Sequence, residues 1–339
     1  MGQGNMQPVK WGIIGVAKIG MEKVIPAMQQ GAGIEIVGIA SRDADRAEAA
    51  RKQLGIAKAF GSYEALLADP EIEAVYNPLP NHLHVPWTKK ALDAGKHVLC
   101  EKPLGMTADE AATLIAARDK AGRLVQEAFM VKTHPQWLNA KALIDQGRIG
   151  EARAASGIFC YMNTDADNVR NMADIGGGGI MDIGCYMTIF SRWMLGAEPK
   201  RVTAVIERDP TFKTDRLASA LFDFGDGRQA NWVTSTQLAP VQRFTVLGTK
   251  GRIEIEIPCN APADRPCRIV VDDGSDLFGG GAEVIEIPPC NQYQLQGEMF
   301  SRAVRGEGPI AMTLEESVAN MKVLDALFAA EKSGGWVQP

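Results

Sequence analysis

Val9-Lys10-Trp11-Gly12-Ile13-Ile14-Gly15-Val16-Ala17-Lys18-Ile19-Gly20 is the stretch whose reading decides the fold. Val9 to Ile14 is mostly apolar and bounded by glycine, as a short buried strand is, and a helical pattern runs from Ile19 to Gln30. The turn between them is Gly15-x-Ala17-x-x-Gly20. A strand that opens into a helix through such a turn is where a dinucleotide fold holds its pyrophosphate, because glycine lets the backbone approach and the helix N-terminus offers N–H donors. Alanine in place of the second glycine permits binding and alters the approach by a methyl group.

The pattern continues outward from that unit. Ile34 to Ala40 reads as a second strand, Asp43 to Leu54 as a helix, Ala74 to Asn77 as a strand and Val85 to Ala94 as a helix. His97 to Cys100 is the next strand, Thr107 caps a helix ending near Ala121-Gly122, and Leu124 to Phe129 is a further strand. Strands spaced by helical patterns predict βαβ units and a parallel sheet. Near residue 150 the pattern changes to strands in series, at Ala152 to Met162, Arg201 to Glu207, Leu217 to Phe224, Gln229 to Ser235, Phe244 to Leu247, Arg252 to Ile257, Arg268 to Val271 and Glu283 to Ile287. Asp226-Gly227 is a hairpin turn between two of them. Helices are expected there only around Ile180 to Leu195, Gln292 to Arg305 and Leu314 to Ala330. The predicted class is α/β: a Rossmann dinucleotide-binding domain over residues 1–130, then an α+β domain over residues 131–339 with a large, open, mostly antiparallel sheet.

A chain of 339 residues is long enough for two such cores. Its formal net charge of −5 argues against a nucleic-acid or anionic-membrane binder, which would be basic. No run approaches the roughly 18 apolar residues of a membrane span, and the first eight residues have neither the charged nor the apolar region of a signal peptide. Six scattered cysteines and four histidines form no zinc pattern, so no metal is expected and a reduced, cytoplasmic protein is.

Four further stretches carry chemistry. The second strand ends Ile39-Ala40-Ser41-Arg42, with Arg46 one turn later. An acid here would hold a ribose 2′-hydroxyl, whereas Ser41, Arg42 and Arg46 suit a 2′-phosphate, favouring NADP over NAD. Asn77-Pro78-Leu79-Pro80-Asn81-His82-Leu83-His84 is a rigid two-proline turn. Either it is structural, with Asn81 capping the next helix, or it packs on the nicotinamide with His84 facing the cleft. Glu101-Lys102-Pro103 puts a lysine at a strand's carboxyl end, where ligands of open α/β sheets collect, and the proline restricts it. Gly176-Gly177-Gly178-Gly179 gives a backbone open to close approach, ahead of a helix on which Asp182 and Tyr186, four apart, share a face.

Taken in order, Gly15-x-Ala17-x-x-Gly20, Glu101-Lys102-Pro103 and the run from Gly176 through Asp182 to Tyr186 resemble the Gfo/Idh/MocA oxidoreductase family over about residues 9 to 190. The resemblance implies hydride transfer between a nicotinamide cofactor and a hydroxyl compound, with Lys102, Asp182 and Tyr186 catalytic. It puts the cofactor on Gly15, Ala17, Lys18, Ile19, Ser41, Arg42, Arg46, Leu79, Asn81, His84, Glu101 and Lys102, and the substrate on Lys102, Arg170, Asp182 and Tyr186. Most members carry histidine where this chain has Tyr186. Tyrosine resembles the branch of glucose–fructose oxidoreductase, dimeric dihydrodiol dehydrogenase and NADP-dependent D-xylose dehydrogenase, and the lack of a leader argues against the first. A homodimer or homotetramer through the C-terminal sheet is also implied.

The expected substrate is therefore a small polyol, foremost an aldose such as D-xylose or D-glucose. A free tyrosine, with a pKa of about 10, is a poor base at neutral pH, and a nearby ammonium favours its phenolate. Lys102 is thus expected to tune Tyr186 and hold the substrate oxygen, with Asp182 orienting Lys102 or a second hydroxyl. A trans-dihydrodiol dehydrogenase and a non-catalytic NADP-binding regulator are the alternatives.

Overall fold

The computed structural model describes residues 7–339, in two compact units. The first comprises the residues up to Thr133 together with Asn291–Val318; the second comprises His134–Cys290 and Ala319–Pro339.

In the first unit, strands β1 (Val9–Ile14), β2 (Ile34–Ala40), β3 (Lys58–Phe60), β4 (Ala74–Asn77), β5 (His97–Cys100) and β6 (Val125–Glu127) form one parallel sheet in the order β3-β2-β1-β4-β5-β6. Its order reverses between β1 and β4, which opens a crevice at their carboxyl ends. Both faces of such a sheet are covered, so its strands are nearly uninterrupted apolar runs. Trp11, Ile13, Ile39, Tyr76 and Leu99 are fully buried, and the core is completed by Phe300 from the far end of the chain.

That return is not described by a single boundary at residue 130. The helix Gln292–Val304 belongs to the first unit: Trp11 Nε1 donates to Ser301 Oγ at 3.1 Å, and Arg305 grips both oxygens of Glu73 at 2.7 Å. The pattern of residues 292–305 specifies a helix but not the core it covers. The helix Leu314–Ser333 begins in this unit and continues in the other.

The second unit holds β7 (Ala152–Met162), β8 (Arg201–Arg208), β9 (Asp215–Gly225), β10 (Arg228–Ser235), β11 (Gln237–Gly248), β12 (Gly251–Ile255), β13 (Cys267–Asp272) and β14 (Ala282–Ile287), in the order β14-β13-β12-β11-β7-β10-β9-β8. All pairings are antiparallel except β7 with β10. Asp226 and Gly227 join β9 to β10 with φ of 54° and 73°, the two positive values a tight hairpin turn demands. The helix Cys185–Leu195 is packed by aromatic side chains, with Phe190 stacked on Trp137 at 3.8 Å and met by Phe244 at 5.4 Å.

Among the described residues, one strand and two α-helices lie outside the sequence expectation. β3 and the helix Tyr63–Ala68 are too short to show a period. The helix Pro135–Asp145 was hidden by its weak amphipathicity, although its proline at the first turn under a His134 cap is a start signal. Among the described residues, no helix is long and apolar enough to cross a membrane, and no cluster of His, Cys, Asp and Glu could hold a metal.

Candidate active site

In the first unit, the loops after β1, β2, β4 and β5 bring most of the expected cofactor residues to one end of the sheet. Gly15 adopts φ +103°, a value L side chains avoid, and a Cβ there would stand 2.9 Å from Leu79 Cδ2. The turn after β1 and the turn after β4 therefore touch at the point where the strand order reverses. The helical run over residues 18–28 starts just beyond Ala17, with Lys18 exposed and Ile19 half-buried, and contains a π-turn over Gly20–Val24. Such an inserted residue often marks a functional site and leaves no trace in a short apolar pattern.

At the end of β2, Ser41 is buried and its Oγ accepts from the Asp43 amide at 3.2 Å. Asp43 caps the helix Ala44–Leu54, its Oδ1 accepting from the amides of Asp45 and Arg46 at 3.0 and 3.1 Å. Arg42 and Arg46 are exposed, and neither forms an ion pair among the described residues.

The turn after β4 is built differently from expectation. Neither the short helical turn Asn81–Leu83 nor the helix His84–Asp93 has a side-chain cap, so Asn81 does not act as one. Asn77, at the end of β4, does the work instead. Its Oδ1 accepts from Leu79 N at 3.3 Å, and its Nδ2 donates to His84 O at 3.2 Å and Thr88 Oγ1 at 3.3 Å. His84 does not face the cleft. It is 1% exposed, its Nδ1 lies 2.7 Å from Pro103 O and its Nε2 2.6 Å from Leu79 O. It is a buried strut between the turn after β4 and the residue after Lys102. Burial pushes its pKa down to about 4, while the two carbonyls pull the other way.

Glu101 is likewise held by protein groups. Its Oε1 accepts from the buried Tyr76 hydroxyl at 2.6 Å, its Oε2 accepts from Lys102 N at 3.3 Å, and its own amide donates to Asn77 O at 2.9 Å. Burial and this carboxylate hold the Tyr76 phenol well above its ordinary range. These contacts fix the carboxyl end of β5, and half-buried Lys102 follows directly, joined to Pro103 by a cis peptide bond.

In the second unit, Arg170, Asp182 and Tyr186 lie on a loop and a helix joined by the glycine run. Gly176–Gly179 does not stand open. A Cβ on Gly177 would sit 2.7 Å from the carbonyls of Arg170 and Met172, and one on Gly178 would overlap Asp215 Oδ1. The glycines make room for neighbouring backbone and for a buried carboxylate. A π-turn over Ile180–Gly184 then leads into the helix Cys185–Leu195.

Asp182 accepts two hydrogen bonds at Oδ2, from Tyr161 Oη at 2.6 Å and from Arg170 Nε at 2.9 Å. Tyr161, Asp182 and Arg170 thus form one hydrogen-bonded cluster, in which the Arg170 side chain stays 41% exposed. Burial and the carboxylate push the Tyr161 phenol far up, so it stays protonated. Tyr161 was missed because a tyrosine in a strand carries no motif; its place near the exposed end of β7 was the available signal. Tyr186 is 5% exposed, its ring 6.1 Å from Phe190. Its helix is pinned where it starts, since Asn320 Nδ2 donates to Cys185 O at 3.2 Å and Asn320 Oδ1 accepts from Arg192 at 3.1 Å.

Known proteins match both units. The model described as "Oxidoreductase family, NAD-binding Rossmann fold" matches residues 9–129, and that of the GFO/IDH/MocA C-terminal domain matches residues 137–254. An uncharacterized oxidoreductase of Rhizobium meliloti is 49% identical, over 98% of this chain and 99% of its own. An NADP(+)-type D-xylose 1-dehydrogenase of Haloferax volcanii is 38% identical, over 97% and 99%. Among solved structures, a 3-ketoreductase from Actinomadura kijaniata in complex with NADP and TDP-benzene superposes with a TM-score of 0.88 at 30% identity, covering 95% of this chain and 98% of that one. A strand-order reversal lined by a positive-φ glycine turn, a lysine held at the end of β5 and an Asp–Tyr helix behind a glycine run meet a family match over both units: the chain belongs to the Gfo/Idh/MocA family of oxidoreductases.

Proposed function

We propose that this chain is an NADP(H)-dependent enzyme that moves hydride between the nicotinamide and a hydroxyl-bearing carbon of a small polyol, foremost an aldose such as D-xylose or D-glucose. The observation that carries the reading is the pair of exposed, unpaired guanidinium groups of Arg42 and Arg46 beyond β2, with the neighbouring carboxylate of Asp43 engaged by backbone amides. An acid free at this place would select a ribose hydroxyl; two arginines suit a phosphate. The residues fit the whole cofactor, because Gly15 leaves space that a Cβ would fill beside Leu79 and the helical run beyond Ala17 supplies the amides for a pyrophosphate.

When bound, oxidised NADP would supply the hydride acceptor. Tyr186 takes the hydroxyl proton, Lys102 donates to the substrate oxygen, and Arg170, held by Asp182, meets a further hydroxyl. The polyol assignment is supported by the D-xylose 1-dehydrogenase relative and by Tyr186 itself. A nucleotide-linked ketosugar is the second reading, favoured by the likeness to the 3-ketoreductase. Six free cysteines fit a reducing, cytoplasmic setting, and the exposed apolar side chains Val205, Leu221, Leu247 and Val284 on the second sheet support a homodimer or homotetramer through it.

The test is the purified protein with NADP or NAD and a panel of aldoses, inositols, dihydrodiols and a dTDP-ketosugar, followed by nicotinamide absorbance. NADP-linked turnover of an aldose is expected. Turnover of the ketosugar alone, or NADP binding without turnover of any compound, contradicts the aldose reading, the latter in favour of a regulator.

A further inference from the structure

Asp215, the first residue of β9, is 1% exposed and belongs to none of the motifs above. Its Oδ2 accepts from the amide of Ile180 at 2.6 Å, and its Oδ1 occupies the place of the missing Cβ of Gly178, whose φ is +122°. A Cβ on Gly179 would lie 3.3 Å from Asp215 Oδ2. On its other side the same turn is held by the 169–172 segment, with Gly178 N donating to Arg170 O and Gly177 N to Met172 O, both at 2.9 Å. Gly178 O then accepts from Asp182 N at 3.1 Å, so the clamped glycine is bonded directly to a site residue. The carboxylate stands where the helical run begins, on a donor that helix geometry leaves unpaired.

We propose that Asp215 is a positioning residue for the reaction, its carboxylate clamping the Gly176–Gly179 turn and thereby setting where Asp182 and Tyr186 stand. The inference rests on the proposed function for what the reaction is, and on the geometry alone for the clamp. Among the charged and titratable groups around it, Arg208 pulls the Asp215 carboxyl down, Glu331 pushes it up, and Tyr161 senses its charge. Arg208 is itself paired with Glu331 at 2.6 Å, and Tyr161 stays protonated, so their fields largely offset one another. Burial is the leading influence and pushes the Asp215 carboxyl up to about 7. The clamp therefore weakens as pH falls through neutrality, and Asp215 contributes an acid limb to turnover.

The experiment compares the wild type with Asp215→Asn in three readouts. Amide hydrogen exchange over residues 178–182 should quicken by roughly 10-fold or more, the equivalent of one charge-assisted hydrogen bond. With a substrate from the panel, kcat at about pH 8 should fall by roughly 10-fold or more and lose its acid limb near neutrality, while KM for NADP(H) stays within about twofold. The Tm at about pH 8 should be no lower than that of the wild type, because the variant buries no charge. Unchanged exchange overturns the clamp; quickened exchange with unchanged kcat overturns the positioning role. Activity lost in step with the folded protein, in both Asp215→Asn and Asp215→Ser, makes the residue merely structural and overturns it as well. A wild type that turns over no compound fails the functional reading instead, and the exchange measurement still decides the clamp.

Discussion

Tyr161 and Asp182 are joined by a 2.6 Å hydrogen bond in which the phenol donates to Oδ2, the same oxygen that receives Arg170 Nε at 2.9 Å. A carboxylate bonded by both donors fixes where the Arg170 side chain stands. Tyr161→Phe removes one of the two donors. A hydrogen bond to a charged group contributes about 1.5–3 kcal/mol, so KM for the sugar should rise roughly 10-fold or more, with KM for NADP(H) unaltered. Because the Tyr161 phenol is pushed far up and does not titrate at working pH, the pH profile of kcat should keep its wild-type shape. Steady-state kinetics across pH check both points.

Cofactor choice is expected to reside in Arg42 and Arg46, which stand exposed beyond β2. Replacing both with alanine removes the guanidinium donors proposed for the 2′-phosphate. At about 1.5–3 kcal/mol for a charged hydrogen bond, KM for NADP should rise at least roughly 10-fold while KM for NAD changes little. Titration of the variant with each cofactor measures the ratio directly.

Acid stability has an identifiable contributor in His134, which is 1% exposed. Its Nδ1 accepts from Gln136 N at 3.1 Å, and its Nε2 lies 3.4 Å from Cys290 Sγ. Burial pushes its pKa down from 6.5 to about 4. The unfolded chain then binds the proton more readily than the native one, so the stability from a neutral His134 is complete above about pH 6.5 and is lost as pH falls toward 4. The loss is on the order of 3 kcal/mol. His134→Asn keeps a helix-capping side chain and should show a flatter decline between pH 7 and 5 in denaturant unfolding.

The parts of the fold set by local chemistry were legible in the sequence. Buried strands such as Val9–Ile14, Ile34–Ala40 and His97–Cys100 were bounded by glycine, lysine or a cap, and Thr107 caps its helix as read, its side chain accepting from Glu110 N at 3.1 Å. What depends on distant partners was not. Asp215 meets Ile180 across 35 positions, Tyr161 meets Asp182 across 21, and Phe300 fills a core begun by Trp11. Gly177 and Gly178 were read as making way for a ligand, whereas their neighbours are carbonyl groups and a carboxylate. His84 shows the same effect, since its chain position leaves a structural turn and a cleft-facing ring equally open, and only its burial shows a strut.

Whether Tyr186 carries the proton in an NADP-linked oxidation of a sugar hydroxyl is decided by kcat of Tyr186→Phe on the best aldose of the panel. Loss of a general acid/base is worth roughly 10²–10⁴-fold, so kcat should fall by that factor while NADP(H) binding, followed by nicotinamide fluorescence, is unchanged. A Tyr186→Phe enzyme turning over within about twofold of the wild type would rule out Tyr186 as the proton carrier.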